Sequence, residues 1–346
     1  MKIVVNAKNG TREFACEDGG NVLHAGLAAG VPLAYECATG TCGTCKARLV
    51  SGRLESVWPE APGTKYFKAD GEVLTCQSVA RDDCVIESGV TLKTVEPPPV
   101  PPRALTGVVL NARRLTHDVI AFDVDLDTPL DFHAGQFALL NVPGVRGARA
   151  YSMVNYARDT RRLAFVVKKK PGGGVSEWLF ANDVSGARLA LLAPLGHATF
   201  HAETPKHVLC VAGGSGIAGM MSILSLACEA AQFRAWDGYV FFGIRTVADT
   251  FFLDELEAFR TRFPDRLSIT IALSEDDVPE TLAGAYPAFT FARGFVHAVA
   301  GEAMKGKFAG VRAYVAGPPP MVDASLRFLL REARLPPADI RYDKFS

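Results

Sequence analysis

The 346-residue chain has no surplus of charge: 37 Lys and Arg balance 37 Asp and Glu. Binding a phosphate backbone calls for a basic surplus, so the balance argues against nucleic acid as the main partner. It offers no broad electrostatic attraction to a membrane either. Uninterrupted apolar runs are also lacking. The mostly apolar stretch at 208–231 is broken by Gly213-Gly214-Ser215-Gly216 and Gly219 and carries Glu229. A strand, a glycine turn and a buried helix explain it better than a membrane span, so no stable membrane insertion is expected. The first residues, Met1-Lys2-Ile3-Val4-Val5-Asn6-Ala7-Lys8, lack the apolar core and small-residue cleavage site of a secretory signal. Four of the eight cysteines, Cys16, Cys84, Cys210 and Cys228, are scattered. They read as reduced, buried small hydrophobes, and a reducing cytoplasm is the expected location.

The other four cysteines are not scattered. Cys37, Cys42 and Cys45 have the spacing C-x4-C-x2-C, and Cys76 follows in Leu74-Thr75-Cys76-Gln77. That is the plant-type [2Fe–2S] pattern, in which four thiolates supply soft anionic ligands to two irons. Gly40 and Gly43 permit the tight turns of a short loop that aims backbone N–H groups at sulfur. Structural zinc is the alternative, although zinc ribbons pair their ligands as two C-x2-4-C knuckles. Disulfides fit poorly with three cysteines inside nine residues. This stretch resembles the ferredoxin family.

Length allows two or three domains. Residues 1–94 read as a ferredoxin-like (β-grasp-like) module, with strands near 2–5, 47–50 and 85–87 and a helix ending at Gly30. Its 11 acidic and 10 basic residues leave it without a strongly acidic face. Residues 95–102 hold Glu96-Pro97-Pro98-Pro99-Val100-Pro101-Pro102, five prolines in seven residues, which favours an extended, semi-rigid linker. Residues 103–203 are strand-rich, with strands at 105–110, 119–124, 137–142, 163–168 and 188–193, and suit an antiparallel β-barrel. Residues 204–346 alternate strand and helix and predict a doubly wound parallel α/β sheet, with ligand at the carboxyl ends of its strands.

Within the strand-rich segment lie Arg149-Ala150-Tyr151-Ser152 and, after Lys168-Lys169-Lys170, the stretch Pro171-Gly172-Gly173-Gly174-Val175-Ser176. R-x-Y-S followed by G-x-S resembles the flavin site of the ferredoxin-NADP reductase superfamily. The resemblance implies FAD, with Arg149 on the pyrophosphate, the Tyr151 ring on the flavin and Ser152 near the flavin N5. It also implies Gly174, Val175 and Ser176 at the phosphate, Ser176 opening a short helix. The lysine run reads as a solvated strand end or as a further phosphate contact.

In the last segment, Gly213-Gly214-Ser215-Gly216-Ile217 lacks the G-x-G-x-x-G dinucleotide fingerprint. It resembles the superfamily's own nucleotide loop, and Gly317-Pro318-Pro319-Pro320-Met321 resembles its second turn. Two departures stand out: Gly219 where relatives carry proline, and Ala316 where they carry cysteine. Arg245 at the end of its strand can meet a 2′-phosphate or stack on adenine, whereas Asp249 would repel a 2′-phosphate. NADH is the expected coenzyme. Phe345, in the terminal Tyr342-Asp343-Lys344-Phe345, would cover the flavin or end a strand as an ordinary apolar residue.

The three modules together resemble the NADH-dependent reductase components of bacterial multicomponent oxygenases, in particular toluene and xylene monooxygenase reductases. That resemblance implies electron transfer from NADH through FAD and the [2Fe–2S] cluster. The acceptor would be an oxygenase hydroxylase component or a Rieske ferredoxin. Three other readings stay open here: a reductase of deoxysugar synthesis, a non-catalytic cluster-based redox sensor, and a zinc-stabilised flavin reductase.

Overall fold

The computed structural model describes residues 1–92 and 100–344. Residues 93–99, which include the first part of the linker expected at 95–102, and Phe345 with its proposed place over the flavin, lie outside the described residues.

The first sheet begins with a hairpin. Lys2–Ala7 pairs antiparallel with Gly10–Ala15, then lies parallel to Cys84–Glu87, and Lys46–Ser51 and Glu72–Leu74 complete five strands. Ile3 and Val5 alternate inward and are fully buried, as a strand with one covered face requires. Helix Val22–Ala28 lies over this sheet and turns Val22, Leu23 and Gly26 inward. It is started by Asn21, whose side-chain oxygen accepts from the His24 N–H at 3.1 Å. The parallel contact between the first and last strands of the module is the β-grasp arrangement expected from the sequence.

The second sheet has six strands in the order Arg149–Ser152, Phe137–Asn141, Arg188–Leu195, Arg103–Arg114, Val119–Leu130, Thr160–Lys168. Every paired neighbour is antiparallel. Its two ends meet through Val154 N–H to Ala164 C=O at 2.8 Å and a bridge between Met153 and Phe165. The barrel interior is filled by Phe122, Val124, Leu126, Leu163 and Phe165. Helix Gly174–Ala181 is fastened to it by Val175 and Leu179.

The third sheet is parallel throughout, in the order Thr290–Arg293, Leu267–Leu273, Gly238–Ile244, His207–Gly213, Val311–Gly317, Ile340–Lys344. Helices Ile217–Glu229 and Leu253–Arg262 cover one face, Val296–Ala303 and Pro319–Arg331 the other. With both faces covered, His207–Gly213 is buried from its second residue on and reads as one apolar run. The strand order reverses between His207–Gly213 and Val311–Gly317, which opens a crevice at their carboxyl ends.

Barrel and parallel sheet share one core, in which Val119, Ala134 and Val166 meet Met220, Met221 and Ile223. The buried Ser222 hydroxyl accepts from Gly135 N–H at 3.2 Å across the same contact. Gly135 has φ +99°, and a Cβ there would stand 2.2 Å from the Ala198 carbonyl oxygen. Gly135→Ala is therefore expected to cost roughly 2 kcal/mol or more and to lower the thermal midpoint by several degrees. Gly144→Ala, with φ +75° and open space around it, should cost only about 1 kcal/mol. Equal midpoints for the two variants in a thermal melt would refute this account of the junction.

Candidate functional site

The cysteine loop is shaped by backbone that side chains other than glycine's rarely tolerate. Ala38, Gly40 and Gly43 have φ of 54°, 83° and 77°, and a Cβ on Gly43 would lie 2.4 Å from the Tyr66 ring. These reversals turn amides inward. The N–H groups of Thr39 and Cys42 both donate to Cys37 Sγ at 3.4 Å, and Thr44 N–H to Cys42 Sγ at 3.5 Å. Cys76 arrives on the turn Thr75–Gln77. It is held there by Asn21 Nδ2 donating to its carbonyl at 2.8 Å and by Thr75 N–H and Oγ1, both donating to Cys45 C=O at 3.1 Å.

Cys45 Sγ and Cys76 Sγ stand 3.2 Å apart as free thiols, beyond the roughly 2.05 Å of a disulfide bond. Cys37, Cys45 and Cys76 are buried, and Cys42 is partly exposed. Hydrogen bonding from the Cys42 thiol pulls Cys37 down to about 4, while the same bond, together with burial, pushes Cys42 up. Cys45 is lowered and Cys76 raised by the corresponding bond between them. Four sulfurs gathered in a mostly buried loop, with amides aimed at them, fit a cationic iron–sulfur core, which takes thiolate ligands.

Strand Arg149–Ser152 places the flavin candidates. Arg149, Tyr151 and Ser152 pair with Leu140, Ala138 and Phe137. The Arg149 guanidinium lies over the Trp58 ring at 5.8 Å and donates to Ala148 C=O at 3.0 Å. Tyr151 packs against the barrel core, and burial pushes its phenol up to about 12, against the pull of Arg149. Ser152 is 5% exposed, and its hydroxyl has no hydrogen-bond partner among the described residues. A buried polar atom left open in this way is where a bound group would complete the bonding. A Cβ on Gly219 would reach within 3.5 Å of that hydroxyl, so the glycine that departs from the expected proline borders the same spot.

The phosphate turn differs in detail from expectation. The helix starts at Gly174, two residues before Ser176. Buried Ser176 uses its hydroxyl inside the turn: it donates toward Gly173 C=O at 2.9 Å and accepts from Lys170 N–H at 3.0 Å. The Val175 side chain is fully buried, and a Cβ on Gly174 would lie 2.7 Å from Val145. The lysine run splits. Lys168 pairs with Asp118 at 3.0 Å, while Lys169 lies over the Phe180 ring at 5.7 Å.

A cavity of about 710 Å³ occupies the crevice where the parallel sheet reverses. Gly213, Gly214, Ser215, Gly216, Gly317 and Pro318 line it. Gly216 has no room for a side chain, since a Cβ would lie 2.3 Å from Ala316 C=O. Arg245 lines the rim, half-exposed, 3.7 Å from Asp249 and 3.8 Å from Asp118. Asp249 is buried and caps its own turn, accepting from Thr246 N–H and Oγ1 at 3.0 Å each. Burial pushes its carboxyl up, but these bonds together with Lys168 and Arg245 hold it below its usual range. Phe295, His297 and Arg327 also line the cavity. The sequence carried no signal for them, because separate helices bring them to the strand ends.

The chain matches three family models in sequence order. They are a 2Fe-2S iron-sulfur cluster binding domain over residues 5–81, an oxidoreductase FAD-binding domain over 107–200 and an oxidoreductase NAD-binding domain over 210–326. The first decides for iron–sulfur over zinc. Among curated proteins, the ferredoxin–NAD(P)(+) reductase CarAd of Metapseudomonas resinovorans is 35% identical, over 95% of this chain and 96% of the relative. The xylene/toluene monooxygenase electron transfer component XylA of Pseudomonas putida is 32% identical, over 92% and 87%. Among solved structures, a ferredoxin reductase in carbazole 1,9a-dioxygenase superposes with a TM-score of 0.83 at 32% identity, covering 100% and 99% of the two chains. Similarity of this order along nearly the whole length settles the family: the chain belongs to the ferredoxin–NAD(P)(+) reductases that join a [2Fe–2S] domain to flavin- and nicotinamide-binding domains.

Proposed function

We propose that the chain is the NADH-dependent reductase component of a bacterial oxygenase system, cytoplasmic, serving a hydroxylase component or a Rieske ferredoxin. The observation that carries this reading is the packing of the cysteine module against the strands that position Arg149, Tyr151 and Ser152. Phe137, Leu139 and Leu195 of the barrel belong to the same apolar core as Cys45 and Cys76. The relatives' names point the same way: they include reductase components of alkene monooxygenase, naphthalene dioxygenase and phenol monooxygenase systems.

In this reading the chain divides into a cluster unit at 1–94, a linker at 95–102, a flavin unit at 103–203 and a nucleotide unit at 204–346. Gly213–Gly216, Gly317 and Pro318 hold the nicotinamide nucleotide by close backbone approach, and Arg245 takes its adenosine end. Arg149 neutralises the flavin pyrophosphate, Tyr151 stacks on the ring system, and Ser152 supplies the open hydroxyl near its reactive nitrogen. Gly174 and Val175 offer backbone N–H groups to phosphate, while Ser176 shapes the turn that presents them. Bound FAD supplies the exchange between two-electron hydride chemistry and the one-electron chemistry of the cluster. Cys37, Cys42, Cys45 and Cys76 hold that cluster, and Cys42, the partly exposed ligand, marks its outward side.

Two variants test the division of labour. Cys42→Ser is expected to lower electron delivery to an added oxygenase component by more than about tenfold and to leave flavin bleaching by NADH within about twofold. Equal loss of both in a folded protein would overturn the assignment. Gly216→Ala should raise the KM for NADH by about tenfold or more while the cluster spectrum stays intact. An unchanged KM would move the nucleotide elsewhere.

A further inference from the structure

The two residues before the first cluster ligand tie the loop to both halves of the reductase. Tyr35 accepts from Gly196 N–H of the barrel at 2.9 Å, and its ring centroid lies 4.7 Å from that of His197. Glu36 reaches the other way. Its Oε1 accepts from the Tyr342 hydroxyl at 3.0 Å, and its Oε2 accepts from the Thr44 hydroxyl at 3.1 Å. One carboxylate therefore spans from inside the cysteine loop to the last strand of the parallel sheet, 306 residues away.

That strand is well placed to transmit position. Tyr342 pairs with Val315, and Asp343 with Ala316, in the strand whose end, Gly317, lines the nucleotide cavity. The hydroxyls of Tyr342 and Thr44 both donate to the Glu36 carboxylate, at 3.0 and 3.1 Å. Apolar packing seats the module on the barrel, and the Tyr342 bond adds a polar contact between the cysteine loop and the parallel sheet. Electron tunnelling falls off exponentially with distance, so a small shift of the loop changes the transfer rate without touching either cofactor's own chemistry.

We propose that Glu36 and Tyr342 form a latch that seats the cluster loop on the reductase core and thereby sets the rate of electron passage from flavin to cluster. Both are positioning residues, and the inference rests on the electron path proposed above. Among the described residues neither is hydrogen-bonded to a nucleotide or flavin candidate, so flavin reduction by NADH is expected to be unchanged when either is altered.

The test uses the full-length holoprotein in anaerobic stopped flow with NADH, following flavin bleaching and cluster reduction separately. Tyr342→Phe and Glu36→Ala should each slow cluster reduction by about threefold to tenfold, with flavin bleaching, iron content and thermal midpoint unchanged. The double variant should be no slower than either single one, and Glu36→Gln, which keeps an acceptor oxygen, should recover most of the rate. Wild-type cluster reduction in both single variants, or purely additive effects in the double, would overturn the latch. Cluster reduction by NADH in protein stripped of flavin would instead overturn the underlying electron path, and so separates the two failures.

Discussion

The arrangement depends on one strand that is buried on both faces. Phe137–Asn141 turns Ala138 and Leu140 into the barrel core and Phe137 and Leu139 into the core of the cysteine module. A strand alternates its side chains, so a strand covered on one side only would expose Phe137 and Leu139 to water. Burying such side chains stabilises by about 2–3 kcal/mol each, which makes the module's seat on the barrel part of the fold. The neighbouring strand carries Arg149, Tyr151 and Ser152 in register with this one. The same hydrogen-bond ladder that defines the flavin candidates thus also fixes where the cysteine loop lies.

The nucleotide side follows a different logic. There the chain contributes mainly what it omits. Gly216 lets the turn touch Ala316 C=O, and Gly213 and Gly317 pack against the end of the Met321 side chain, Gly317 with φ +150°. Charge enters from Arg327 and at the rim, where Lys168 and Arg245 face Asp118 and Asp249. Asp249 is spent on capping its own turn and on these cations.

Much of this was legible in the sequence where a local pattern has a single physical cause. The parallel strands, such as Gly238–Ile244, are apolar runs because both faces are covered. The cysteine spacing carried the cluster, and the two glycine turns carried the cavity floor. Elements without local contrast were not legible. Gly10–Ala15 is exposed at five of six positions, so it shows no alternation and owes its strand state to pairing with Lys2–Ala7. Ser176 resembled a helix-starting phosphate contact, but the helix begins at the glycines before it and the hydroxyl closes the turn. The contact between Glu36 and Tyr342 joins residues at opposite ends of the chain and has no sequence signature.

The cavity at Gly213 and Gly317, the open hydroxyl of Ser152, and the loop held by Tyr35 and Glu36 are pieces of one packed body, and the proposed path from nucleotide to cluster would run along them. The most direct measurement of this order is an anaerobic single turnover of the unaltered protein with NADH, resolved by flavin absorbance and by the paramagnetic signal of the reduced cluster. The account predicts flavin bleaching first, with the cluster signal growing only as electrons leave the flavin. A cluster signal that rises before the flavin bleaches would contradict it.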